Sequence, residues 1–290
     1  MDSLTIAQLL RRASELKDVS DSARLDTELI LARVMACERS YFYTWPEKLV
    51  SELHSVEFNH LFERRLKGEP VAYILGRQGF WTLELEVSPC TLIPRADTEI
   101  LIELVLSQLA LPKTPDILDL GTGTGAIALA LASEFPISNV LGVDVEVKAV
   151  ELAQRNAKLN GIGNVSFKVS DWFSSIELKY DLIVSNPPYI DINDEHLACG
   201  DVRFEPASAL VAKNGGLADI QVLVSGALNY MNDAAWLVVE HGWTQGEAVR
   251  RVFEEFAYSD VATQQDYAGH DRVTYGRIKR STSTLQSPPL

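Results

Sequence analysis

Cysteine is scarce in this chain, and its few copies follow no pattern. The 290 residues include three cysteines, Cys37, Cys90 and Cys199, and no two of them form a C-x-x-C pair. This spacing argues against a zinc site and against a disulfide framework. The five histidines form no ligand motif either, so we expect no metal. A reduced, cytoplasmic protein is the simplest interpretation.

The sequence also has no long apolar run, and its basic residues are fewer than its acidic ones. No apolar stretch reaches the roughly 18 residues that a membrane span needs, and no basic segment followed by an apolar core marks a signal peptide. We therefore expect no membrane association. The formal net charge is −14, from 26 Lys and Arg against 40 Asp and Glu. Enzymes that bind duplexes usually present a basic face to the phosphates, so this balance disfavours direct binding of nucleic acid and is compatible with a basic protein partner.

The spacing of the apolar residues changes along the chain. Residues 1–78 predict a helical domain with apolar residues at helical intervals. Residues 80–87 alternate like a single strand, which predicts one half of a hairpin within a linker at 79–94. From 95 to 280 helices and strands alternate, the pattern of an α/β domain with a parallel sheet. Residues 281–290 are polar and contain proline, so we expect a disordered tail.

Two local signals place helices within the first domain. The stretch 5–8, Thr-Ile-Ala-Gln, resembles a capping box at the start of a helix. A later helix is marked by Leu53, Leu61 and Leu66 and is expected to end near Gly68, a residue type that favours helix C-termini.

A glycine-rich turn joins an apolar strand at 116–120 to an Ala- and Leu-rich helix. The turn consists of Gly121, Thr122, Gly123, Thr124 and Gly125. Glycine lets the backbone turn tightly and approach a ligand, and the helix N-terminus beyond it offers unpaired N–H groups. The spacing is G-x-G-x-G rather than G-x-G-x-x-G, which weakens the alternative of a dinucleotide-binding oxidoreductase. We predict that the turn binds a cofactor.

Acidic and aromatic residues follow the next two predicted strands. Asp144 ends a strand about 20 residues after the glycines, the offset of an acid that accepts hydrogen bonds from ribose hydroxyls. Asp171 and Trp172 follow a strand at 165–170. There, Asp171 could accept from the exocyclic amine of adenine while Trp172 covers the ring. Together with the glycine turn, these residues predict a pocket for S-adenosyl-L-methionine.

The sequence Asn186-Pro187-Pro188-Tyr189 follows an apolar strand at 180–185. Two prolines cannot continue a strand ladder, so the chain turns at a strand's carboxyl end, where open α/β sheets bind ligands. We predict that Asn186 Oδ1 and the Pro187 carbonyl accept the two hydrogens of a planar NH2 group and that Tyr189 stacks on its plane. The predicted substrate-binding residues are Asn186, Pro187, Pro188 and Tyr189. Of these, Asn186, Pro187 and Tyr189 are the predicted catalytic residues, and Asn186 also contacts the cofactor.

The order of these motifs resembles that of the HemK/PrmC family, the peptide chain release factor N5-glutamine methyltransferases. The resemblance also includes the segments 68–76, 92–99, 204–206, 240–245 and 266–272. Ala96 stands where the family usually has proline, which costs some loop rigidity. The resemblance implies a Rossmann-like class I S-adenosylmethionine-dependent methyltransferase sheet with an N-terminal helical domain. It also implies class 1 peptide chain release factors as protein substrate, methylated on the glutamine of their Gly-Gly-Gln motif and held partly by the helical domain.

Other interpretations remain open on sequence alone. The Asn-Pro-Pro-Tyr motif is also used by N6-adenine and N4-cytosine methyltransferases that act on nucleic acid, and a non-catalytic cofactor-binding scaffold is a second alternative. Arg95 and Glu99 either close over the cofactor, touch the partner, or pair with each other across one helical turn. We expect His241 to be structural and the protein to be a monomer.

Overall fold

The computed structural model describes residues 4–278, apart from the side chain of His196. These residues form two compact units. The helical unit takes the described residues up to Arg77, with Val87–Pro89 and Glu195–Glu205. The sheet unit takes Gln78–Glu86, Cys90–Asp194 and the described residues from Pro206 onward. The predicted tail at 281–290 lies outside the described residues. Every helix within the described range is too short or too polar to cross a membrane.

The helical unit is built from short and medium helices. They are α1 (Ile6–Arg11), α2 (Ala23–Met35), α3 (Ser40–Thr44), α4 (Glu52–Leu66) and α5 (Val71–Leu75). The predicted capping box is confirmed, because the Gln8 N–H donates to Thr5 Oγ1 and the Thr5 N–H donates to Gln8 Oε1. The expected end of α4 is confirmed as well, since Gly68 follows it with a φ of 90°.

The buried face of α4 differs from the leucine pattern in the sequence. Phe58, Phe62 and Arg65 are buried, whereas Leu53 is 83% exposed. The two phenylalanines lie one turn apart with ring centroids 5.3 Å from each other. Aromatic rings remove more apolar area from water than leucine does, so their spacing decides which face of the helix turns inward.

Arg65 is the charged member of that buried face. Its Nε donates to Asp26 Oδ2 at 2.7 Å, and its guanidinium also donates to Asp201 Oδ1 at 2.8 Å and to the Glu69 carbonyl at 3.0 Å. Asp26 and Arg65 are almost fully buried. The segment Glu195–Glu205 groups with the helical unit, and the Arg65–Asp201 ion pair is one of its attachments.

A hairpin begins at Arg77, and its remaining residues belong to the sheet unit. Its strands are β1 (Arg77–Phe80) and β2 (Leu83–Glu86), which pair with each other. The prediction of one strand over 80–87 is therefore wrong, because the chain turns at Trp81. The Trp81 backbone has a φ of 55° and its N–H donates to Glu99 Oε1 at 2.8 Å, while its indole donates to Glu134. These tertiary hydrogen bonds hold a turn that the alternation of side chains does not indicate.

Within residues 4–278 the central sheet has seven strands. In chain order they are β3 (Asp116–Leu120), β4 (Asn139–Asp144), β5 (Val165–Val169), β6 (Tyr180–Ser185), β9 (Met231–Glu240), β10 (Ser259–Gln265) and β11 (Asp271–Arg277). Their spatial order is β10-β11-β9-β6-β3-β4-β5. The pairs from β9 to β5 are parallel, and β11 and β10 close the sheet as antiparallel strands. Two short strands, β7 (Ile190–Asp191) and β8 (Val211–Ala212), pair separately.

Helices cover both faces of this sheet. They are α6 (Glu99–Gln108), α7 (Ala126–Glu134), α8 (Val147–Leu159), α9 (Ala218–Ala227) and α10 (Gly246–Glu255). Ile117 and Leu182 pack with α6 and α7 on one face, and Leu118 and Ile183 pack with α9 and α10 on the other. Because alternate residues of a strand face opposite sides, a sheet buried on both sides needs the near-continuous apolar runs of this sequence. The predicted Rossmann-like α/β fold is confirmed.

The parallel strands determine where the motifs meet. The carboxyl ends of β3, β4, β5 and β6 lie at one edge of the sheet because neighbouring parallel strands run in the same direction. The glycine turn, Asp144, the Asp171–Trp172 pair and Asn186 each end or follow one of these strands. Residues spread over 66 positions of sequence, from 121 to 186, are therefore brought to one edge.

Candidate active site

A cavity of about 250 Å³ lies at this edge of the sheet unit. The predicted residues that line it are Gly121, Thr122, Gly123, Thr124, Asp144, Asp171, Trp172, Asn186 and Pro188. Gly125, Pro187 and Tyr189 are absent from the lining that residues 4–278 provide. Phe80, Cys90, Leu92, Ser208, Ala209 and Asp219 also line it. These six had no predicted role, because they come from segments without a strand-end motif.

The glycine turn leaves the carboxyl end of β3 in a conformation that favours glycine. Gly121 has a φ of 72°, and the N–H groups of Gly121 and Thr122 both donate to the Val143 carbonyl at 2.9 Å. Gly125, with a φ of 83°, precedes α7, and a Cβ there would lie 3.1 Å from the Ala153 Cβ. Gly125 therefore serves the packing of the turn against α8, while Gly121–Thr124 face the cavity.

Asp119 lies beneath the turn and is fully buried. Its Oδ2 accepts from Thr122 Oγ1 at 2.6 Å and from the Ala128 N–H at 3.2 Å. It thereby satisfies one of the unpaired N–H groups in the first turn of α7. Burial raises the pKa of Asp119 to about 7, against the effect of these two hydrogen bonds. Sequence reasoning gave Asp119 no role, although its position two residues before the first glycine was a usable signal.

Asp144 connects two of the predicted cofactor segments. Its Oδ2 accepts from the Gly123 N–H and its Oδ1 from the Glu146 N–H, each at 2.9 Å. Burial raises the pKa of Asp144, while the hydrogen bonds from Glu146 and Gly123 oppose that shift. A carboxylate has about four acceptor positions, so two hydrogen bonds from the backbone leave capacity for ligand hydroxyls.

Trp172 and Asp171 form another wall of the cavity. Trp172 has a φ of 44°, which is uncommon for a residue other than glycine. Its indole lies against Gly121, at 3.5 Å from where a Cβ would stand. Asp171 is exposed at the rim. The tryptophan conformation is of the kind that is found at ligand sites, where the surrounding structure holds a strained backbone.

Acidic side chains dominate the charge around the cavity. The charged lining residues are Asp144, Glu146, Asp171 and Asp219 on the acidic side and Arg95 on the basic side. Burial, followed by the charge of Asp171, raises the pKa of Asp219. A cavity with this excess of carboxylates favours a ligand that carries positive charge.

Asn186 leaves the end of β6 with its amide held in one orientation. Asn186 Nδ2 donates to Thr98 Oγ1 at 3.2 Å. The preceding Ser185 donates from its hydroxyl to the Leu120 carbonyl at 2.7 Å, which ties the end of β6 to the end of β3. Because Nδ2 is engaged by Thr98, Oδ1 is the amide atom of Asn186 with acceptor capacity for a ligand.

Hydrogen bonds hold both the side-chain hydroxyl and the backbone carbonyl of Tyr189. Its hydroxyl donates to Glu240 Oε1 at 3.3 Å, and its carbonyl accepts from Gln245 Nε2 at 3.0 Å. Gln245 also donates to the Gly215 carbonyl and accepts from the Gly242 N–H. Burial, and next the charge of Glu240, raises the pKa of Tyr189. Its predicted stacking on a substrate amide stays a prediction.

Glu240, the last residue of β9, is buried with 1% of its surface exposed. Burial raises its pKa to about 7, and hydrogen bonding by Thr98 is the largest opposing effect, followed by the charge of Arg272 and the hydrogen bond from Tyr189. Sequence reasoning assigned no role to Glu240 or Thr98. The signal for Glu240 was an acid at the end of a buried strand, the same signal that identified Asp144.

Three residues of undecided role have defined surroundings. Arg95 lines the cavity, and Glu99 accepts the Trp81 N–H. His241 is fully buried, with Nδ1 2.9 Å from the Gly242 carbonyl and Nε2 2.8 Å from Thr274 Oγ1. Burial lowers the pKa of His241. The neutral ring donates from Nδ1 and accepts at Nε2, and both hydrogen bonds hold it in a structural position.

Two protein-family models match the chain. The Methyltransferase small domain model matches residues 96–253, and the PrmC N-terminal domain model matches residues 8–76. Among solved structures, a methyltransferase from Pyrococcus furiosus has a TM-score of 0.53 at 19% sequence identity. The match covers 76% of this chain and 99% of that structure, and it supports the fold.

Curated relatives match over nearly the full length. A release factor glutamine methyltransferase from Aliivibrio fischeri is 54% identical over 95% of this chain and 98% of its own. Proteins of the same name from Vibrio cholerae and Escherichia coli are 51% and 47% identical, over 96% and 92% of this chain and 98% and 97% of theirs.

Proposed function

We propose, since this chain belongs to the release factor glutamine methyltransferase family, that it transfers a methyl group from S-adenosylmethionine to a glutamine side chain. The acceptor is the amide nitrogen, N5, of the glutamine in the Gly-Gly-Gln motif of class 1 peptide chain release factors. The observation that carries the proposal is the orientation of Asn186 at the cavity, with Nδ2 on Thr98 and Oδ1 available as an acceptor.

The cavity residues fit S-adenosylmethionine. Asp144, at the end of β4, would accept from ribose hydroxyls with the acceptor positions that the Gly123 and Glu146 N–H groups leave. Trp172 would offer an aromatic face for adenine beside Asp171. The excess of carboxylates in the lining suits a cofactor with a positive sulfonium and an ammonium group. When bound, S-adenosylmethionine supplies an electrophilic methyl carbon.

The Asn-Pro-Pro-Tyr turn would position the glutamine amide. A carboxamide nitrogen is a poor nucleophile because its lone pair is delocalised, so its orientation at about 3–3.5 Å from the reacting carbon matters. Asn186 Oδ1 and the Pro187 carbonyl would accept the two amide hydrogens. These hydrogens become better donors as the nitrogen gains positive charge, so both hydrogen bonds strengthen in the transition state. The proton leaves after the C–N bond forms, and no strong base is needed beforehand.

The helical unit would help to hold the release factor. Leu53 and Val56 lie one turn apart on α4 and are 83% and 62% exposed, with Glu52, Glu57 and His60 around them. An exposed apolar pair with a charged rim is typical of a surface that binds a protein. The overall charge of −14 favours a basic partner.

One assay tests the proposed function. The protein is incubated with methyl-labelled S-adenosylmethionine and either an unmodified class 1 release factor or a DNA or RNA duplex, and the label is located by mass spectrometry. We expect label on the glutamine of the Gly-Gly-Gln motif and none on a release factor in which glutamate replaces that glutamine. Label on adenine or cytosine with none on glutamine would instead identify a nucleic-acid methyltransferase.

A second assay tests the docking surface on α4. The double variant Leu53→Asp with Val56→Asp should raise the KM for release factor while cofactor affinity stays unchanged. Glu63→Ala, a change at an exposed residue of the same helix, is the matched control. An unchanged KM in the double variant would remove this surface from the proposal.

A further inference from the structure

We propose that Gln245 is a positioning residue for methyl transfer, because its side-chain amide joins the end of the Asn-Pro-Pro-Tyr turn to two neighbouring loops. Gln245 Nε2 donates to the Tyr189 carbonyl and to the Gly215 carbonyl, each at 3.0 Å, and Gln245 Oε1 accepts from the Gly242 N–H at 2.8 Å. We call this amide and its three backbone partners the Gln245 clamp. All four residues belong to the sheet unit. The kinetic consequences of the clamp rest on the proposed function, whereas its existence rests on these hydrogen bonds alone.

The partners of the Gln245 amide leave it only one orientation. A backbone carbonyl only accepts hydrogen bonds, and a backbone N–H only donates them. The carbonyls of Tyr189 and Gly215 must therefore face Nε2, and the Gly242 N–H must face Oε1. Both hydrogens of Nε2 are engaged, so the clamp needs two donors and an acceptor on one side chain. Glutamate would place a second acceptor against two carbonyl oxygens, and methionine of similar length would offer neither kind of hydrogen bond.

Gln245 precedes α10, at the position where a side chain often caps a helix. Serine, threonine, aspartate and asparagine are favoured there, because their short side chains accept from N–H groups of the first turn. Among the described residues the Gln245 side chain makes no such hydrogen bond, since it reaches back to the loops instead. The helix therefore begins without a side-chain cap while the amide holds the Asn-Pro-Pro-Tyr turn. This arrangement indicates that the site, rather than the helix, determines the residue type at this position.

The backbone approaches the clamp closely enough to require glycine. Gly216 has a φ of 82°, and a Cβ there would lie 2.0 Å from the Tyr189 carbonyl oxygen and 2.5 Å from Gln245 Nε2. A Cβ at Gly242 would lie 3.0 Å from Gln245 Oε1. The two glycines therefore allow the close approach on which the three hydrogen bonds depend.

A chain of side chains holds the loop that carries Gly242. The Gly242 carbonyl accepts from His241 Nδ1 at 2.9 Å, so Nε2 of the neutral ring is an acceptor. Thr274 then donates to Nε2 at 2.8 Å and accepts from Thr263 at 2.8 Å, and Arg250 donates to Thr263 at 2.7 Å. Each step has one direction, because arginine only donates and a carbonyl only accepts. The loop that leads to the clamp is thereby fixed to β10, β11 and α10.

The clamp fixes one end of a turn whose other end is also fixed. The Ser185 hydroxyl donates to the Leu120 carbonyl at 2.7 Å just before the turn, and Gln245 holds the Tyr189 carbonyl at its end. The two prolines between these points have fixed φ angles, so the turn has little freedom. The Pro187 carbonyl, a proposed acceptor for the substrate amide, would thereby keep its position as the substrate approaches. A small displacement of such a group would take the reacting atoms out of their near-attack geometry.

Single-turnover kinetics of Gln245→Met test the positioning role. At saturating release factor and cofactor, we expect the methylation rate to fall by about 10- to 100-fold, the range for a small misplacement near the reacting atoms. The Kd for S-adenosylmethionine and the KM for release factor should change little, because the glycine turn and the helical unit are untouched. Gln154→Met, the same change at an exposed position on α8, should behave like the wild type. An unchanged rate in Gln245→Met, or a loss confined to KM, would overturn the proposal.

A second variant, Gln245→Ser, separates positioning from stability. Serine is too short to reach the Tyr189 and Gly215 carbonyls, but it is able to cap α10. We therefore expect the Tm of Gln245→Ser to equal or exceed that of Gln245→Met, while its methylation rate is equally low. A methylation rate that recovers together with the Tm would show that Gln245 only stabilises the fold, which would overturn the proposal. If Gln245→Met does not fold, the rate and Tm of Gln245→Ser are compared with those of the wild type.

Amide hydrogen exchange provides a readout without catalysis. The amides of Tyr189 and Ile190 lie at the end of the turn, and the Ile190 N–H donates to the Leu210 carbonyl at 2.9 Å. Exchange at these two amides should be faster in Gln245→Met than in the wild type, and Gln154→Met should match the wild type. If exchange is faster but the wild type does not methylate release factor, the clamp stands and the proposed function fails. If the wild type methylates release factor and Gln245→Met changes neither exchange nor rate, the clamp is overturned.

Discussion

The N–H of Gly123 donates to Asp144 Oδ2 across 2.9 Å. The acid that ends β4 therefore shapes the glycine turn that follows β3, in addition to facing the cavity. The other oxygen of Asp144 accepts from the Glu146 N–H at 2.9 Å. A single carboxylate thus organises two walls of the candidate cofactor site.

Asp144→Ala should weaken the binding of S-adenosylmethionine by roughly 1.5–3 kcal/mol, the scale for hydrogen bonds to a charged group. The turn should also lose order, because the Gly123 N–H loses its partner. Calorimetry measures the affinity, and amide hydrogen exchange at Gly123 measures the order of the turn. Glu151→Ala, an exposed change on α8, is the control. An unchanged affinity in Asp144→Ala would remove Asp144 from the site.

Asn186→Ala should reduce single-turnover methylation of release factor by about 10²–10³, by analogy with the loss of one preorganised transition-state hydrogen bond. Cofactor affinity should change less than turnover, because the glycine turn is intact. Rapid-quench kinetics with labelled cofactor measure the step. Asn139→Ala, at an exposed position where β4 begins, should retain wild-type turnover. Near-normal turnover in Asn186→Ala would contradict the proposed role of the turn.

Arg65→Met should lower the free energy of unfolding of the protein by about 3–5 kcal/mol, because it leaves buried Asp26 without its ion-pair partner. The Asp201 carboxylate loses a partner as well. Urea unfolding followed by circular dichroism measures the change. Arg33→Met removes an exposed arginine from α2 and should change stability by less than about 0.5 kcal/mol. A loss below about 1 kcal/mol in Arg65→Met would show that the pair is not required.

The free energy of unfolding of the wild type, minus that of Glu240→Gln, should fall as pH rises from about 4.5 to about 7. The folded-state pKa of Glu240 is raised from 4.5 to about 7 by burial, so the folded protein binds more protons than the unfolded chain in this window. Rising pH therefore favours unfolding until the folded carboxyl has ionised, and the effect is of order 1–3 kcal/mol. Asp119 also has a pKa of about 7, but it is present in both proteins and cancels. Urea unfolding at several pH values measures the difference. A flat or rising difference would contradict the raised pKa.

The sequence identified the cavity segments because each follows a strand. A glycine turn, an acid or a proline pair that follows an apolar run marks a strand end, and parallel strands place such ends at one edge. For this reason, Gly121, Asp144, Asp171 and Asn186 were correctly expected to lie close together. The sequence did not identify Glu240 and Thr98, because their hydrogen-bond partners are distant in sequence. Tyr189 lies 51 positions from Glu240, and Asn186 lies 88 positions from Thr98.

Predictions from local sequence patterns were wrong where tertiary contacts determined the structure. The run 80–87 alternates like one strand, yet the Glu99 and Glu134 carboxylates hold Trp81 in a turn. The spacing of Leu53 predicts that it lies on the buried face of α4, yet Leu53 is exposed and Phe58 and Phe62 form that face. The grouping of Glu195–Glu205 with the helical unit depends in part on an ion pair with Arg65 across 136 positions.

The amino-acid sequence by itself determined the helical and alternating regions, the order of the motifs and the chemistry that their residue types permit. Those features depend on local periodicity, on turn-forming glycine and proline, and on which atoms donate or accept. Only the tertiary structure decided the direction of the hydrogen bonds from Asn186 and Tyr189 and the ionisation of Glu240 and Asp119. The physical reason is that burial and the choice of hydrogen-bond partner depend on residues far apart in sequence, which local patterns do not specify.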